Sequence, residues 1–430
     1  MYLGFCMKIE NLIKPFKSKF IQNVSILLTG NIAAQAIALL ATPVITRLYL
    51  PSDFGIMTFI QSVAGVFTVI ACMRYRYAIM LPKEEIKGYN LFALSIFLSC
   101  AVSIILLFLV FFFKGVVAQK FGFAGHENYL FFLPAIVFIA SSSDIFVYLH
   151  TRFKGFRIIA FITVLMPIVN SVTKIGAGLL LSASAFWLLF GNLMGPLLSI
   201  LLFIIFTKGK LSDIVRNTNI SGLKQSAYEY RKFPKYNMPT GFINSISQNL
   251  PVLLFSYFFS QEVVGFYGLA NMVLRRPVNV MSQAISKVFL QRSSEIQNEG
   301  GDLYNNLKKT TLGLAAIGVI PFAILAMFGK WIFGFVFGQG WSEAGVYTQI
   351  LAPWLFVMLI KTPANQIIFT KQRLRFNLIF NISSIMATTG IVLICFIFTN
   401  SPIIALVGFS CTGFIFYSYF IFNCFFNLKE

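Results

Sequence analysis

The chain has 430 residues, of which 57% are hydrophobic and 11% charged, and its formal net charge is +20. A soluble protein of this length carries roughly 25% charged residues, so these polar groups cannot cover a soluble surface. The positive charge is scattered through short loops rather than gathered in one domain, which argues against soluble nucleic-acid binding.

Read in chain order, "MYLGFCMKIENLIKPFKSKF" opens the sequence with basic residues but lacks a compact apolar core followed by a small-residue cleavage site. It reads as an uncleaved, amphipathic cytosolic arm, 1–24, with Met7 as an alternative start. Apolar runs near twenty residues then recur to the end, and 50 phenylalanines suit lipid-facing surfaces. The runs predict twelve spans: 25–47, 54–74, 91–113, 129–149, 158–181, 185–206, 237–258, 263–286, 310–329, 343–360, 376–398 and 401–424. The Gly-broken stretch "GKWIFGFVFGQGW" (329–341) leaves the tenth open to a re-entrant or interfacial turn. The expected fold is an all-α polytopic membrane protein.

With a cytosolic N-terminus, 27 of the 34 Lys and Arg residues fall in inner segments, four in outer ones, and three within spans. That split follows the positive-inside rule and puts both termini in the cytosol. The longest loop, 207–236, is basic and cytosolic. It divides an N-lobe, 25–206, from a C-lobe, 237–430. Two six-span lobes entering from the same side imply parallel repeats.

"ATPVITRLYLPSDFG" (41–55) can be laid on "NLPVLLFSYFFSQEVVG" (249–265). Pro43 meets Pro251, Tyr49 meets Tyr257, and Gly55 meets Gly265 after a two-residue gap. Paired prolines in the first span of each half fit bent helices lining a central path, although prolines are common in membrane helices.

At "LYLPSDFG" (48–55) and "RYRYAIMLP" (74–82) the chain resembles the O-antigen (Wzx-type) flippases of the multidrug/oligosaccharidyl-lipid/polysaccharide exporter superfamily. The turn "SQEVVGFYGLA" (260–270) is similar to the family's pattern in the second half. Arg76 stands where the family often has Glu, so the role of that acid does not carry over. The resemblance implies two six-helix lobes around a central cavity. It also implies a polyprenyl-diphosphate-linked oligosaccharide as substrate, turned to the outer leaflet of a bacterial inner membrane. Membrane lipids and a polysaccharide polymerase machinery are the partners such a role implies.

A diphosphate needs cations. Arg suits bidentate phosphate contact and Lys acts as a point charge. Ionisable groups within spans usually face a cavity or a partner. Arg275 and Arg276 stand near mid-depth in span eight, beside Pro277, and are candidate headgroup ligands with Lys174 in span five and Arg47 at the outer edge of span one. Arg47, Arg74 and Arg76 could equally be snorkelling anchors, and Lys174 could snorkel outward. Asp144 in span four could neutralise Lys174 or Arg275, or bind a coupling ion. Asn31, Gln35, Gln61, Asn170, Asn244, Gln248 and Asn271 are candidates for reading sugar hydroxyls, or for interhelical hydrogen bonds. Gln61 and Asn271 occupy matching places in the two halves.

Six cysteines without a CxxC pair and two distant histidines point to neither disulfide nor metal, and no cofactor motif stands out. One acid against three bases in the spans favours an anionic substrate over the organic cation of a multidrug exporter. A polysaccharide polymerase or ligase would be expected to carry a large outer loop; here the longest, 114–128, is about fifteen residues. The expectation is a transporter rather than an enzyme.

Overall fold

The computed structural model describes residues 19–299, 301–371 and 373–429, and every regular element among them is helical. Predicted spans one to six fall on α1 (Lys19–Leu48), α2 (Pro51–Ala71), α3 (Glu85–Lys120), α4 (Phe132–Arg152), α5 (Phe156–Leu180) and α6 (Ala185–Asn217). A short helix, α7 (Ile220–Glu229), follows. Spans seven to twelve fall on α8 (Met238–Phe258), α9 (Gln261–Asn298), α10 (Leu303–Phe337), α11 (Ser342–Ile360), α13 (Leu374–Thr399) and α14 (Pro402–Lys429), with α12 (Thr362–Thr370) between the tenth and eleventh. The chain is thus an all-α polytopic membrane protein, with ten helices long and apolar enough to cross a bilayer among the described residues. α8 and α9 match these in length but are more polar. Helices of that kind must turn their polar faces to protein or water rather than to hydrocarbon.

Three local expectations change. The stretch 329–341 is not re-entrant: α10 runs unbroken to Phe337, and only Gln339–Trp341 forms a tight turn. The expected loop 207–236 is largely helical, because α6 continues past the apolar run to Asn217 and α7 is N-capped by Asn219, whose Oδ1 accepts from Gly222 N at 2.7 Å. Most of the expected N-terminal arm, including Met7, lies outside the described residues; its last part is already helix in α1.

The prolines sit inside helices, Pro43 in α1, Pro251 in α8 and Pro277 in α9. Each removes one ladder hydrogen bond, a loss membrane helices tolerate when neighbours re-satisfy the freed carbonyl. The motif turn before α2 has a local cause. Pro51 takes the first helical position, where no N–H is needed, and Asp53 Oδ2 accepts from Leu50 N at 3.3 Å. Ser260 does related work before α9, accepting from Val263 N.

The chain forms two compact units. Of the described residues, one contains those up to Ile45, Ile60–Val117 and His126–Asn249; the other contains Thr46–Phe59, Ala118–Gly125 and those from Leu250 onward. The first unit has a core of Cys72, Ile79, Leu91, Ile145, Leu149, Ile162 and Phe203; the second has one of Phe289, Leu307, Ala364, Ile367, Phe380 and Phe420. Lipid tails are as apolar as these side chains, so close packing and interhelical polar links matter more here than water exclusion. Such links are present. Ser143 and Ser199 hydroxyls join α4 to α6 at 2.6 Å, and His150 meets Thr207 at 2.7 Å. In the second unit Ser282 meets Thr362 at 2.9 Å, and Gln366 donates to Ser286 Oγ at 3.0 Å, joining α9 to α12. On α3, Phe108, Phe111, Phe112 and Phe113 are exposed, as a lipid-facing surface requires.

Candidate functional site

In the first unit, the chain leaves α2 through two consecutive left-handed residues, Met73 (φ 47°) and Arg74 (φ 64°). Neither is glycine, so the turn costs roughly 1–2 kcal/mol per residue. It leads into the 3-10 turn Tyr75–Met80. The Arg74 guanidinium lies over Gly241 of α8, where a β-carbon would collide with it, and its Nη1 donates to Tyr77 Oη at 2.5 Å. Arg76 is 7% exposed and its Nη1 reaches Asp144 Oδ2 on α4 at 2.9 Å.

This corrects two expectations. Arg76 is not a snorkelling anchor, and Asp144 is partnered by neither Lys174 nor Arg275. The reversal after α2 carries Arg76 inward, a displacement that spacing along the chain does not encode. Burial lowers the Arg76 pKa, but Asp144, Cys72 and Tyr77 together outweigh it, so the guanidinium is held above its ordinary value. Burial likewise pushes the Tyr77 hydroxyl up, but the neighbouring Arg76 and Arg74 pull it below the usual phenol range. Both guanidinium carbons stand 5.3 Å from the Tyr77 ring centroid. Two cations thus share one tyrosine, Arg76 is ion-paired to Asp144, and the Asp144 side chain remains 52% exposed.

Lys174 on α5 donates from Nζ to Asn192 Oδ1 on α6 at 2.5 Å. Gly191 makes room for it: a β-carbon there would sit 2.5 Å from Lys174 Cγ. One helix turn on, Asn170 Oδ1 accepts from Gly195 N at 2.7 Å. Asn170 is therefore an interhelical link. Gln61, Asn244 and Gln248 are exposed, on helices α2 and α8 that meet where Ser245 Oγ donates to Gly65 O at 3.2 Å. Asn31 and Gln35 are exposed on α1.

In the second unit, Arg47 donates from Nη2 to Phe335 O at 3.0 Å, near the C-terminal end of α10. A cation there complements the helix dipole. Asn271, Arg275 and Arg276 are partly buried on α9, which continues unbroken through Pro277. The Asn271 Oδ1 atom is buried without a hydrogen-bond partner among the described residues. Neither Arg275 nor Arg276 has a carboxylate within ion-pair distance among them. Arg275 lies within electrostatic range of Tyr267 of α9 and Tyr417 of α14.

Tyr417 leads to a cation that charge counting missed. Lys361, at the junction of α11 and α12, reads in sequence as one more inner-loop lysine. Its Nζ instead stands 3.9 Å from the Tyr417 ring centroid, 4.6 Å from that of Phe420 and 5.3 Å from that of Phe380. Burial pushes its pKa down to about 8, against a smaller upward pull from Cys424. The signal available in sequence was the pair of aromatics three apart on α14, Tyr417 and Phe420. Among the described residues, no group of His, Cys, Asp or Glu is placed to hold a metal ion.

The helical arrangement is shared with known transporters. An inward-facing multidrug resistance MATE family transporter of the MOP superfamily superposes with a TM-score of 0.65 at 13% identity, over 96% of this chain and 98% of that one. The lipid II flippase MurJ, in an inward closed conformation, gives 0.65 at 14% identity over 95% and 90%. A MOP superfamily transporter from Pyrococcus furiosus, described as having a binding pocket of reverse polarity, gives 0.51 at 14% identity over 95% and 94%. At these identities the likeness is one of fold. No curated protein sequence matches the chain. A model of polysaccharide biosynthesis proteins matches residues 44–346, well over half the length; the chain belongs to that polysaccharide biosynthesis protein family.

Proposed function

We propose that the protein is a flippase carrying polyprenyl-diphosphate-linked oligosaccharide repeat units, of O-antigen or a related polysaccharide, from the inner to the outer leaflet of a bacterial inner membrane. The observation that carries this reading is the pair Arg275 and Arg276: partly buried cations on a spanning helix, with no carboxylate partner among the described residues. Fixed cations without acids suit a diphosphate and repel an organic cation. Family membership supplies the polysaccharide setting, and the fold it shares with MOP transporters, among them a lipid II flippase, supports lipid-linked cargo.

In this mechanism the lipid tail stays in the bilayer while the headgroup crosses a polar path. The two six-helix lobes expose that path alternately to each side, with both termini remaining cytosolic. Arg275 and Arg276 hold the diphosphate, and Lys174 and Arg47 are secondary cations. Exposed amides at Asn31, Gln35, Gln61, Asn244 and Gln248, with Asn271, offer hydrogen bonds to sugar hydroxyls. Asp144, ion-paired on one side and open on the other, is the coupling-ion candidate. The polymerase that consumes the flipped repeat unit is the natural partner.

Deletion of the gene tests the reading. Lipid-linked repeat units should accumulate on the inner leaflet while surface polysaccharide falls. Loss of surface polysaccharide without accumulation would point to a step other than translocation.

A further inference from the structure

One cavity of the second unit plays no part in the proposed path. It opens where the end of α12, the start of α13 and the end of α14 meet, and is lined by Ile367, Ile368, Lys371, Arg373, Phe376, Asn423, Cys424 and Leu428. Ile367, Ile368 and Cys424 are buried and form its apolar floor, while Lys371 and Arg373 are exposed at the rim. The backbone fixes both cations at the helix end: Lys371 N donates to Ile367 O at 2.8 Å and Arg373 N to Ile368 O at 2.9 Å. Among the described residues, no acid lines the cavity and neither cation has a carboxylate within ion-pair distance.

From this we infer that the cavity is a binding site for the phosphate of an anionic phospholipid. Lys371 and Arg373 hold the phosphate, and the acyl chain lies along Ile367, Phe376 and Leu428. The volume, about 110 Å³, is far below the roughly 300–1,000 Å³ of pockets that enclose drug-sized ligands. It suits one phosphate and excludes a sugar repeat. Basic pockets between membrane helices recognise anionic headgroups in this way. A cation that merely snorkels needs no cavity, whereas this one joins two cations to an apolar wall, the pattern of a phospholipid's own charge and chain.

The test uses the full chain in vesicles of phosphatidylglycerol and phosphatidylcholine and measures lipid retained through mild delipidation by native mass spectrometry. The wild type should retain phosphatidylglycerol in preference to phosphatidylcholine. K371Q/R373Q should retain roughly tenfold less of it, and K371R/R373K should retain the wild-type amount. A photoactivatable phosphatidylglycerol, used on the wild type alone, should crosslink within 367–376 or 423–428. Equal retention by wild type and K371Q/R373Q, or crosslinks only elsewhere, overturns the site. Displacement of phosphatidylglycerol by farnesyl diphosphate at equal concentration would assign the pocket to a prenyl diphosphate and equally overturn the phospholipid reading. Retention is read without transport, so its failure is distinct from failure of the flippase proposal.

Discussion

Gly55 of α2 and Gly265 of α9 face each other across a backbone-to-backbone contact. A β-carbon on Gly55 would overlap the carbonyl oxygen of Gln261, and one on Gly265 would overlap that of Pro51 and lie 3.2 Å from Gly55 N. These are the glycines that align when the two halves of the sequence are superposed. Their correspondence therefore has a packing cause: each is the fifth residue of the second helix of its half, and the two helices cross there.

Because the obstacle is backbone, it cannot swing aside. Gly55→Ala and Gly265→Ala should each destabilise the protein by at least the ~1–3 kcal/mol typical of overpacking. Thermal unfolding of the detergent-solubilised protein checks this; a midpoint within a degree of wild type would contradict it. Gly176→Ala, with nothing within 4 Å of the added carbon, is the matched control and should stay near wild type.

Breaking the Arg76–Asp144 pair should cost more than removing it. Arg76→Gln leaves a carboxylate in a spanning helix, and Asp144→Asn leaves a buried guanidinium. Loss of one partner of a fully buried pair costs roughly 3–5 kcal/mol, and the half-exposed Asp144 brings the expectation to the lower end or below. R76Q/D144N should recover part of the loss. A double variant as unstable as the sum of the singles would show that the pair is not energetically coupled.

Arg275→Ala and Arg276→Ala should lower surface polysaccharide without lowering the amount of protein in the membrane, the double variant most. Quantitative immunoblotting of membranes beside polysaccharide staining separates the two. Wild-type polysaccharide in the double variant would remove these arginines from the substrate path.

Lys361 predicts a pH dependence. Its pKa in the fold is about 8, below the ordinary 10.5 of lysine. Below pH 8 folded and unfolded chains are both protonated, and the fold carries the full burden of a buried charge. Between about 8 and 10.5 the folded lysine releases its proton while the unfolded one keeps it, so this group's contribution to stability rises with pH. Lys361→Met should therefore gain its largest melting advantage over wild type below pH 8 and lose it progressively above. A difference that does not change between pH 7 and 10 would refute the assignment.

The expected spans fall on helices, ten of them apolar enough to cross a bilayer among the described residues, because hydrocarbon leaves the backbone no other way to satisfy its polar groups. That constraint is local and legible. The same is true of the Pro51–Asp53 turn, whose residues act on their own backbone. The burial of Arg76 and Lys361 is not legible in the sequence, for a common reason. Each sits at a helix end, where sequence suggests a water-facing loop, yet the chain turns back and packs. Met73 and Arg74 take left-handed conformations that residue type disfavours, so nothing in their identity announces the reversal.

By itself, the sequence determined the membrane class, the positions of the helices and the motif that repeats in each half, since these depend on transfer free energy and short-range backbone chemistry. Only the tertiary structure decided which charges meet: Arg76 with Asp144, Lys174 with Asn192, and Lys361 with three aromatic rings. Electrostatic and cation–π partnerships depend on separations of a few ångströms between residues far apart in the chain, and those separations exist only once the helices have packed.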